Sequence, residues 1–356
     1  MKRREFLETA FAAVLASQGT GIAQADSALG RPAGAARLDT LQAGGEAPQK
    51  LTIDAYARFL QWLRTPDEVA AAVHELGSST LDLTVRPYPG LVDPARVRQD
   101  LPPFVKGLQK HGVRVDTIAC PIVDAESPHA EAILSTASSL GITHYWGGIF
   151  RYEPSKPVMP QLDALKPRVE KIAALNAKYK ITGMYHTYAF PMAVGCTLWD
   201  LLYVLREFDP AHVGIHYDTS HMVNAQILGG WEISLRAAGP YIRGLSVKDS
   251  YIAKGGPHFG GGRGGRGSRG NRPAVWMPPW HEHYTPLGQG SVPVPHVVQI
   301  IKEMNFHGPV EIQIEYPDGG AENGLAKISL PREQVLAPIK RDFEFLRRVL
   351  RNAGLA

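Results

Sequence analysis

The stretch VGIHYDTSHM, residues 213–222, begins as an apolar run and ends in an aspartate and a histidine. Its first six residues alternate between two faces, and this period of two predicts a β-strand. One face ends in His216 and Asp218, which are unusual choices for a face that only packs. Asp218 either caps the turn after the strand or belongs to a functional site that includes His221.

Comparable strand patterns alternate with helical patterns over residues 51–350. The predicted strands are 58–63, 80–90, 113–121, 143–149, 181–190, 212–220, 242–251 and 308–317. Eight strand–helix units at regular spacing predict an α/β fold, a single parallel (β/α)8 TIM barrel. The alternative is a doubly wound open sheet. That fold normally has a glycine-rich phosphate turn after its first strand, and QWLRTP at 61–66 has no glycine.

The first 25 residues have the features of a twin-arginine export signal. Arg3 and Arg4 precede a mildly apolar stretch, and Ala23-Gln24-Ala25 is a small-x-small cleavage pattern. A cytosolic amphipathic N-terminus is the alternative. We expect a periplasmic or otherwise exported protein, with a linker or disordered arm at 26–50. No later stretch has the roughly 18 apolar residues that a spanning helix needs, so no membrane partner is expected after signal removal.

The formal net charge of +4 is local. The signal contributes +1 and the four arginines of residues 255–272 contribute +4, which leaves the remaining chain at −1. We therefore expect no nucleic-acid partner. The low-complexity core GGPHFGGGRGGRGSRG of the Gly/Arg-rich insertion at about 251–287 is expected to be disordered, and it is either a mobile lid or an RGG-like arm. Two cysteines define no disulfide framework.

Polar residues stand at or just after the ends of several predicted strands, where a structural barrel carries Val, Ile and Leu. The carboxyl ends of parallel barrel strands share one mouth, so these side chains are expected to meet. The candidates are Arg86, His186, Asp218, His221, Lys248 and Glu315. Carboxylates and imidazoles from separate strands suit a divalent cation. The predicted metal ligands are Asp218, His221, Glu315 and His186.

Other candidates have equally good structural explanations. The segment WHEH supplies His281, Glu282 and His283 as reserves, and its histidines either bind substrate or lie in an exposed loop. Trp146 is an apolar wall for a sugar ring or a packed core residue. Lys248 either neutralises Asp249 or binds an oxyanion.

Together these motifs resemble those of the xylose-isomerase-like barrel superfamily over residues 51–350. YDTSH resembles its D-T-x-H element on strand six, LSVKD resembles its H-V-K-D element on strand seven, and PLGQG resembles its L-G-x-G turn. EIQIEYP is similar to the strand-eight segment whose final Glu, here Glu315, is a metal ligand and base. Two departures concern the metal shell: Ser246 replaces the strand-seven histidine, and His186 stands where many members have a glutamate.

The resemblance implies a metal-dependent isomerase or epimerase that transfers a proton next to the carbonyl of an unphosphorylated sugar or polyol ketone. In that scheme His186 is a ligand or an acid, and Lys248 or Arg86 stabilises developing negative charge. One alternative is a lyase acting on 3-keto-glycosides or inososes. Another is a metal-free sugar-binding barrel, which Ser246 favours. An oligomer is compatible with either function.

Overall fold

Eight parallel strands close into a barrel in the computed structural model, which describes residues 50–255 and 279–356. The strands of these residues are β1 (Ile53–Tyr56), β2 (Thr80–Thr84), β3 (Arg114–Ala119), β4 (His144–Trp146), β5 (Thr182–His186), β6 (Val213–Asp218), β7 (Ile242–Val247), β8 (Asp249–Lys254), β9 (Trp280–Thr285) and β10 (Val310–Ile312). The barrel order is β1-β10-β7-β6-β5-β4-β3-β2, whereas β8 and β9 form a separate sheet. The predicted (β/α)8 barrel is confirmed, and the open sheet is excluded.

Helices follow the barrel strands in the alternation that the sequence predicts. In the described residues they are α1 (Pro66–Glu75), α2 (Val97–Lys110), α3 (Ala130–Ser139), α4 (Val158–Tyr179), α5 (Trp199–Leu205), α6 (Thr219–Ala225), α7 (Gly230–Ala238), α8 (Val294–Glu303) and α9 (Arg332–Ala353). None of them is long and apolar enough to cross a membrane. The predicted export signal, and the arm at 26–50 apart from its last residue, lie outside the described part of the chain.

The first helix shows how local sequence fixes an element boundary. Thr65 Oγ1 accepts a hydrogen bond from the backbone N–H of Glu68 at 3.3 Å, and Glu68 Oε2 accepts one from the N–H of Thr65 at 3.0 Å. This capping box satisfies two backbone donors, and Pro66 at the first helical position has none to satisfy. Helix α1 therefore begins at Pro66, directly after its cap at Thr65.

The predicted first strand at 58–63 is wrong. The barrel strand lies upstream of this segment. It is β1, a strand of four buried residues, and Ala57–Leu60 after it form a 3-10 turn. The buried residues Phe59, Leu60 and Leu63 have a helix-like spacing, not the alternation of a strand. The sequence of β1, IDAY, is short and buried on both faces, so it carries little periodic signal.

The ends of the predicted insertion form an antiparallel hairpin, β8–β9, which pairs Asp249 with Thr285 and Lys254 with Trp280. The central Gly/Arg-rich residues 256–278 lie outside the described residues. At the base of the hairpin the Asp249 carboxylate accepts backbone N–H groups of the loop that follows, from Gly288, Gly290 and Val292, at 2.9 to 3.0 Å. These bonds fix the hairpin to the PLGQG turn.

Carboxyl groups replace apolar side chains at several positions in the barrel interior. Asp54 on β1, Asp82 on β2 and Glu311 on β10 are all buried. Burial raises the pKa of Asp54 to about 7, and the nearby Asp82 carboxyl adds to this effect. The folded protein therefore favours the neutral form of Asp54.

The variant Asp54→Asn is expected to be more stable than the wild type at pH 8. Between the ordinary pKa of 3.8 and the folded value of about 7, only the unfolded chain ionises, so wild-type stability falls as pH rises. The asparagine variant does not lose stability in this way. Its gain in free energy of unfolding over the wild type reaches a few kcal/mol, because each pKa unit is worth about 1.4 kcal/mol. Urea unfolding at pH 4 and pH 8 measures it. If the difference in unfolding free energy between variant and wild type does not grow from pH 4 to pH 8, this explanation is wrong.

Candidate functional site

Three predicted metal ligands meet at the mouth of the barrel. His186 ends β5, Asp218 ends β6, and His221 lies in the first turn of α6. One ligand atom from each lies within 4.8 Å of the others, and all three residues are buried. Asp218 Oδ1 accepts the backbone N–H of His221 at 2.9 Å and caps α6, while Oδ2 lies 3.3 Å from His186 Nε2 and 3.9 Å from His221 Nε2. Asp218 therefore caps the turn and also belongs to the cluster.

Partners behind the two imidazoles fix their orientation. His186 Nδ1 lies 2.9 Å from His216 Nδ1, and His221 Nδ1 lies 2.7 Å from Glu282 Oε2. Each ring therefore uses Nδ1 for a contact away from the cluster and presents Nε2 to the Asp218 carboxylate. Metal-binding histidines in proteins are oriented in this way by a hydrogen bond at the second nitrogen.

The Lys248 ammonium occupies the centre of the site. Its Nζ lies 2.9 Å from Asp218 Oδ2, 3.0 Å from His221 Nε2 and 3.3 Å from Glu315 Oε2. Burial opposes its charge, but the two carboxylates raise the pKa of Lys248 above its ordinary value. Of the two interpretations left open by the sequence, neutralisation of Asp249 is wrong, because Asp249 is bound by backbone amides and Lys248 pairs with the site carboxylates.

Glu315 faces the site between two cations. Its Oε1 lies 3.1 Å from Arg58 Nη1, and its Oε2 faces Lys248. Burial alone would favour the neutral acid, but these two cations lower the pKa of Glu315 to about 2. Glu315 is therefore a carboxylate at neutral pH, and Arg58 is a site residue that the sequence did not reveal.

Trp146 lies under the cluster as a packed residue. Its ring stacks on His186 and His216 at centroid distances of 4.7 and 4.8 Å, and its indole N–H donates to Asp82. The Arg86 guanidinium carbon lies 5.1 Å above the Trp146 ring. Among the described residues, Asp218 and Glu315 form their ion pairs with Lys248 and Arg58 and not with Arg86.

The structure assigns different places to the residues of WHEH. Strand β9 alternates, so Glu282 faces the site while His281 and His283 lie on its other face. His283 stacks on Tyr251 at 5.3 Å and contacts the Gly255 carbonyl oxygen at 2.8 Å. The sequence predicts Glu282 only as a secondary candidate for the site. A strand period over 280–285 would have separated it from the two histidines.

Ser246, which replaces the strand-seven histidine of the family pattern, lies in the barrel wall. Ser246 pairs in register with Asp218 on β6 and with Glu311 on β10, and its buried hydroxyl has no hydrogen-bond partner among the described residues. Serine offers no ring nitrogen at this position. Two imidazoles still face the carboxylate because His186 and His221 supply them from β5 and α6.

Comparison with known proteins identifies the fold. The family model described as the xylose isomerase-like TIM barrel matches residues 70–349. No curated protein matches the chain.

Solved structures with this architecture include enzymes of several activities. D-psicose 3-epimerase with D-tagatose from Clostridium cellulolyticum H10 is 14% identical over 84% of this chain and 99% of its own, with a TM-score of 0.58. The probable 3-DHS dehydratase AsbF of Bacillus anthracis is 12% identical over 83% and 99%, with a TM-score of 0.58. A xylose isomerase-like TIM barrel protein from Mycobacterium smegmatis, in complex with magnesium, is 17% identical over 86% and 98%, with a TM-score of 0.58.

Removal of the Glu282 carboxylate is expected to release the β8–β9 hairpin from the barrel. Its oxygens contact Ser220, His221 and Asn224 on α6, and hydrogen bonds to charged groups are worth about 1.5–3 kcal/mol. In Glu282→Ala, amide exchange in residues 219–225 and 280–285 should rise about tenfold or more by mass spectrometry. The matched control is His283→Ala, which loses a contact within the hairpin. Unchanged exchange in Glu282→Ala would show that other contacts hold the hairpin.

Proposed function

Because the chain belongs to the xylose isomerase-like TIM barrel family, we propose that it is a metal-dependent isomerase or epimerase of a small carbohydrate. The reaction is a proton transfer next to the carbonyl of an unphosphorylated sugar or polyol ketone. The observation that carries the proposal is the meeting of two imidazole Nε2 atoms and the Asp218 carboxylate at the barrel mouth. The epimerase neighbours are consistent with this class and do not define the substrate.

The residues present fit a divalent cation. His186, Asp218 and His221 would hold it, since both rings are oriented from behind and their Nε2 atoms face Asp218 Oδ2, which the Lys248 ammonium contacts at 2.9 Å. Nitrogen and carboxylate donors suit Zn, Mn, Co or Mg to different degrees. When bound, the cation supplies polarisation of the substrate carbonyl and of its adjacent hydroxyl.

Glu315 is the proposed base. It is ionised, it lies beside Lys248, and its pairs with Lys248 and Arg58 make it weakly basic before substrate binds. A substrate oxygen that draws the Lys248 ammonium to itself removes one of these two cations from Glu315. The same movement strengthens the base and places a positive charge at the oxygen where negative charge develops. Arg86 is proposed to bind substrate hydroxyls at the edge of the mouth.

The choice of an unphosphorylated substrate depends on the predicted export signal at residues 1–25. Export through the twin-arginine route would bring the protein to a compartment where phosphorylated sugars are scarce. This part of the proposal is tested by localising the full-length chain with and without Arg3→Lys and Arg4→Lys. Retention of the unaltered chain in the cytoplasm would remove the argument against phosphorylated substrates.

Metal content and proton exchange test the function together. The mature protein, purified without chelator, is expected to contain about one divalent metal per chain, which Asp218→Asn loses. Glu315→Gln is expected to slow exchange of the substrate α-proton with D₂O by about 10²–10⁴, the usual contribution of a general base. Glu131→Gln is the matched control, since Glu131 is an exposed surface partner of Lys178. Ketoses and keto-glycosides are the substrates to screen by NMR.

The same measurements distinguish the rival functions. Loss of a leaving group from a keto-glycoside identifies a lyase, because elimination starts with the same proton abstraction. Stabilisation by sugars without metal or turnover identifies a binding barrel and refutes the isomerase.

Lys248→Met is expected to bind metal at least as tightly as the wild type, because Asp218 Oδ2 loses the ammonium that competes for it. Its turnover should fall about 10²-fold or more, since the charge that stabilises the developing oxyanion is gone. Calorimetric titration with Mn²⁺ and the exchange assay provide the two values. Loss of both metal binding and folded structure would assign Lys248 a structural role instead.

A further inference from the structure

A buried polar layer lies directly beneath the proposed metal ligands. His216 on β6 pairs in register with His186 on β5, and both are almost fully buried. Gly244 on β7 leaves the space that the lower ring occupies, since a Cβ there would lie 2.6 Å from His216 Cδ2. The chain therefore places two imidazoles in direct contact inside the barrel, with Trp146 stacked on both.

The contact between the two rings constrains their protons. His186 Nδ1 and His216 Nδ1 are 2.9 Å apart, which is hydrogen-bond distance. A neutral imidazole carries one N–H and one bare nitrogen, so one ring donates through Nδ1 and the other accepts. The tautomer of each ring therefore determines the tautomer of the other.

The carboxyl group on the far side of His216 favours one direction of the hydrogen bond between the two rings. His216 Nε2 lies 3.6 Å from Glu311 Oε1, and the same oxygen accepts a hydrogen bond from the Gln313 amide. An oxygen that accepts from Gln313 presents lone pairs to His216, which favours the proton on His216 Nε2. His216 Nδ1 is then bare and accepts from the Nδ1–H of His186.

His186 is left with a bare Nε2 that faces Asp218 Oδ2 at 3.3 Å. Two acceptors at this distance repel each other unless a cation lies near both. The Lys248 ammonium lies 2.9 Å from the same oxygen, so Asp218 is paired without an N–H from His186. The opposite tautomers would place an N–H against this oxygen and remove a nitrogen ligand from the site.

We infer that His216 is a positioning residue that, with Glu311 behind it, holds His186 in the Nδ1–H tautomer and keeps its Nε2 free as a metal ligand. The inference rests on the proposed function for its metal, and it adds a determinant of affinity below the site. His216 touches neither metal nor substrate and acts through His186.

The test compares two substitutions at His216. His216→Phe keeps a ring under Trp146 without a nitrogen, whereas the Asn side chain of His216→Asn offers an oxygen in place of Nδ1. The first should lower Mn²⁺ affinity by about 10- to 100-fold by calorimetric titration, the usual effect of losing such a partner. The second should stay within about threefold of wild type, because it still accepts the His186 N–H. His144→Asn is the control for loss of a partly buried imidazole on a barrel strand, since His144 contacts Thr143 and not the cluster.

A double-mutant cycle shows whether the effect passes through His186. If it does, His186→Ala/His216→Phe binds Mn²⁺ no more weakly than His186→Ala alone. A general loss of packing would weaken both backgrounds equally. Wild-type affinity in His216→Phe, or an undiminished loss in the His186→Ala background, overturns the inference.

Nitrogen NMR of the imidazoles separates failure of this inference from failure of the proposed function. The expected wild-type spectrum has His186 protonated at Nδ1 and bare at Nε2, and His216→Phe loses that preference. If the wild type binds no Mn²⁺ but shows this tautomer, the metal proposal is wrong and the positioning role stands. If His186 of the wild type is protonated at Nε2, the positioning role is wrong whatever the metal result.

Discussion

The buried carboxylate of Asp218 is the constraint around which the barrel mouth is organised. It is fully inaccessible to solvent, and an isolated charge in such a place is very costly unless it is paired and hydrogen-bonded. One oxygen is satisfied by capping α6, which fixes the direction of the chain after β6. The other pairs with Lys248 and faces the Nε2 atoms of His186 and His221. Asp218 thus serves both fold and site, because the turn that closes the sixth unit also forms the proposed metal centre.

The barrel and most of the cluster could be predicted because polar residues at strand ends interrupt an otherwise apolar pattern. Asp218, His221, Lys248 and Glu315 were found in this way, and the structure brings them together. The first strand could not be predicted, because IDAY is too short to show a period and the next residues look more strand-like than they are.

Residues that act from outside the barrel wall were harder to predict. Glu282 reaches the site because β9 folds back over α6, and this pairing joins residues 61 and 62 positions apart in sequence. Arg58 lies in a 3-10 turn after β1 and meets Glu315 across the closure of the barrel. Their placement depends on tertiary contacts, and strand periodicity carries no information on such contacts. His216, by contrast, was visible as a polar residue below a strand end, and only its partner was unknown.

The charges of the mouth explain why an ammonium at its centre is compatible with a metal-dependent reaction. Asp218, Glu315 and Glu282 carry three negative charges close together, and Lys248 and Arg58 balance two of them. Glu282, the third carboxylate, pairs with the His221 ring and not with a lysine or arginine among the described residues. A base that removes a proton from a neutral sugar becomes neutral itself, so the proposed reaction would move one negative charge from Glu315 to a substrate oxygen beside Lys248 and leave the total unchanged. Such a site stabilises the transition state more than the neutral ground state, which is the condition for catalysis rather than tight binding.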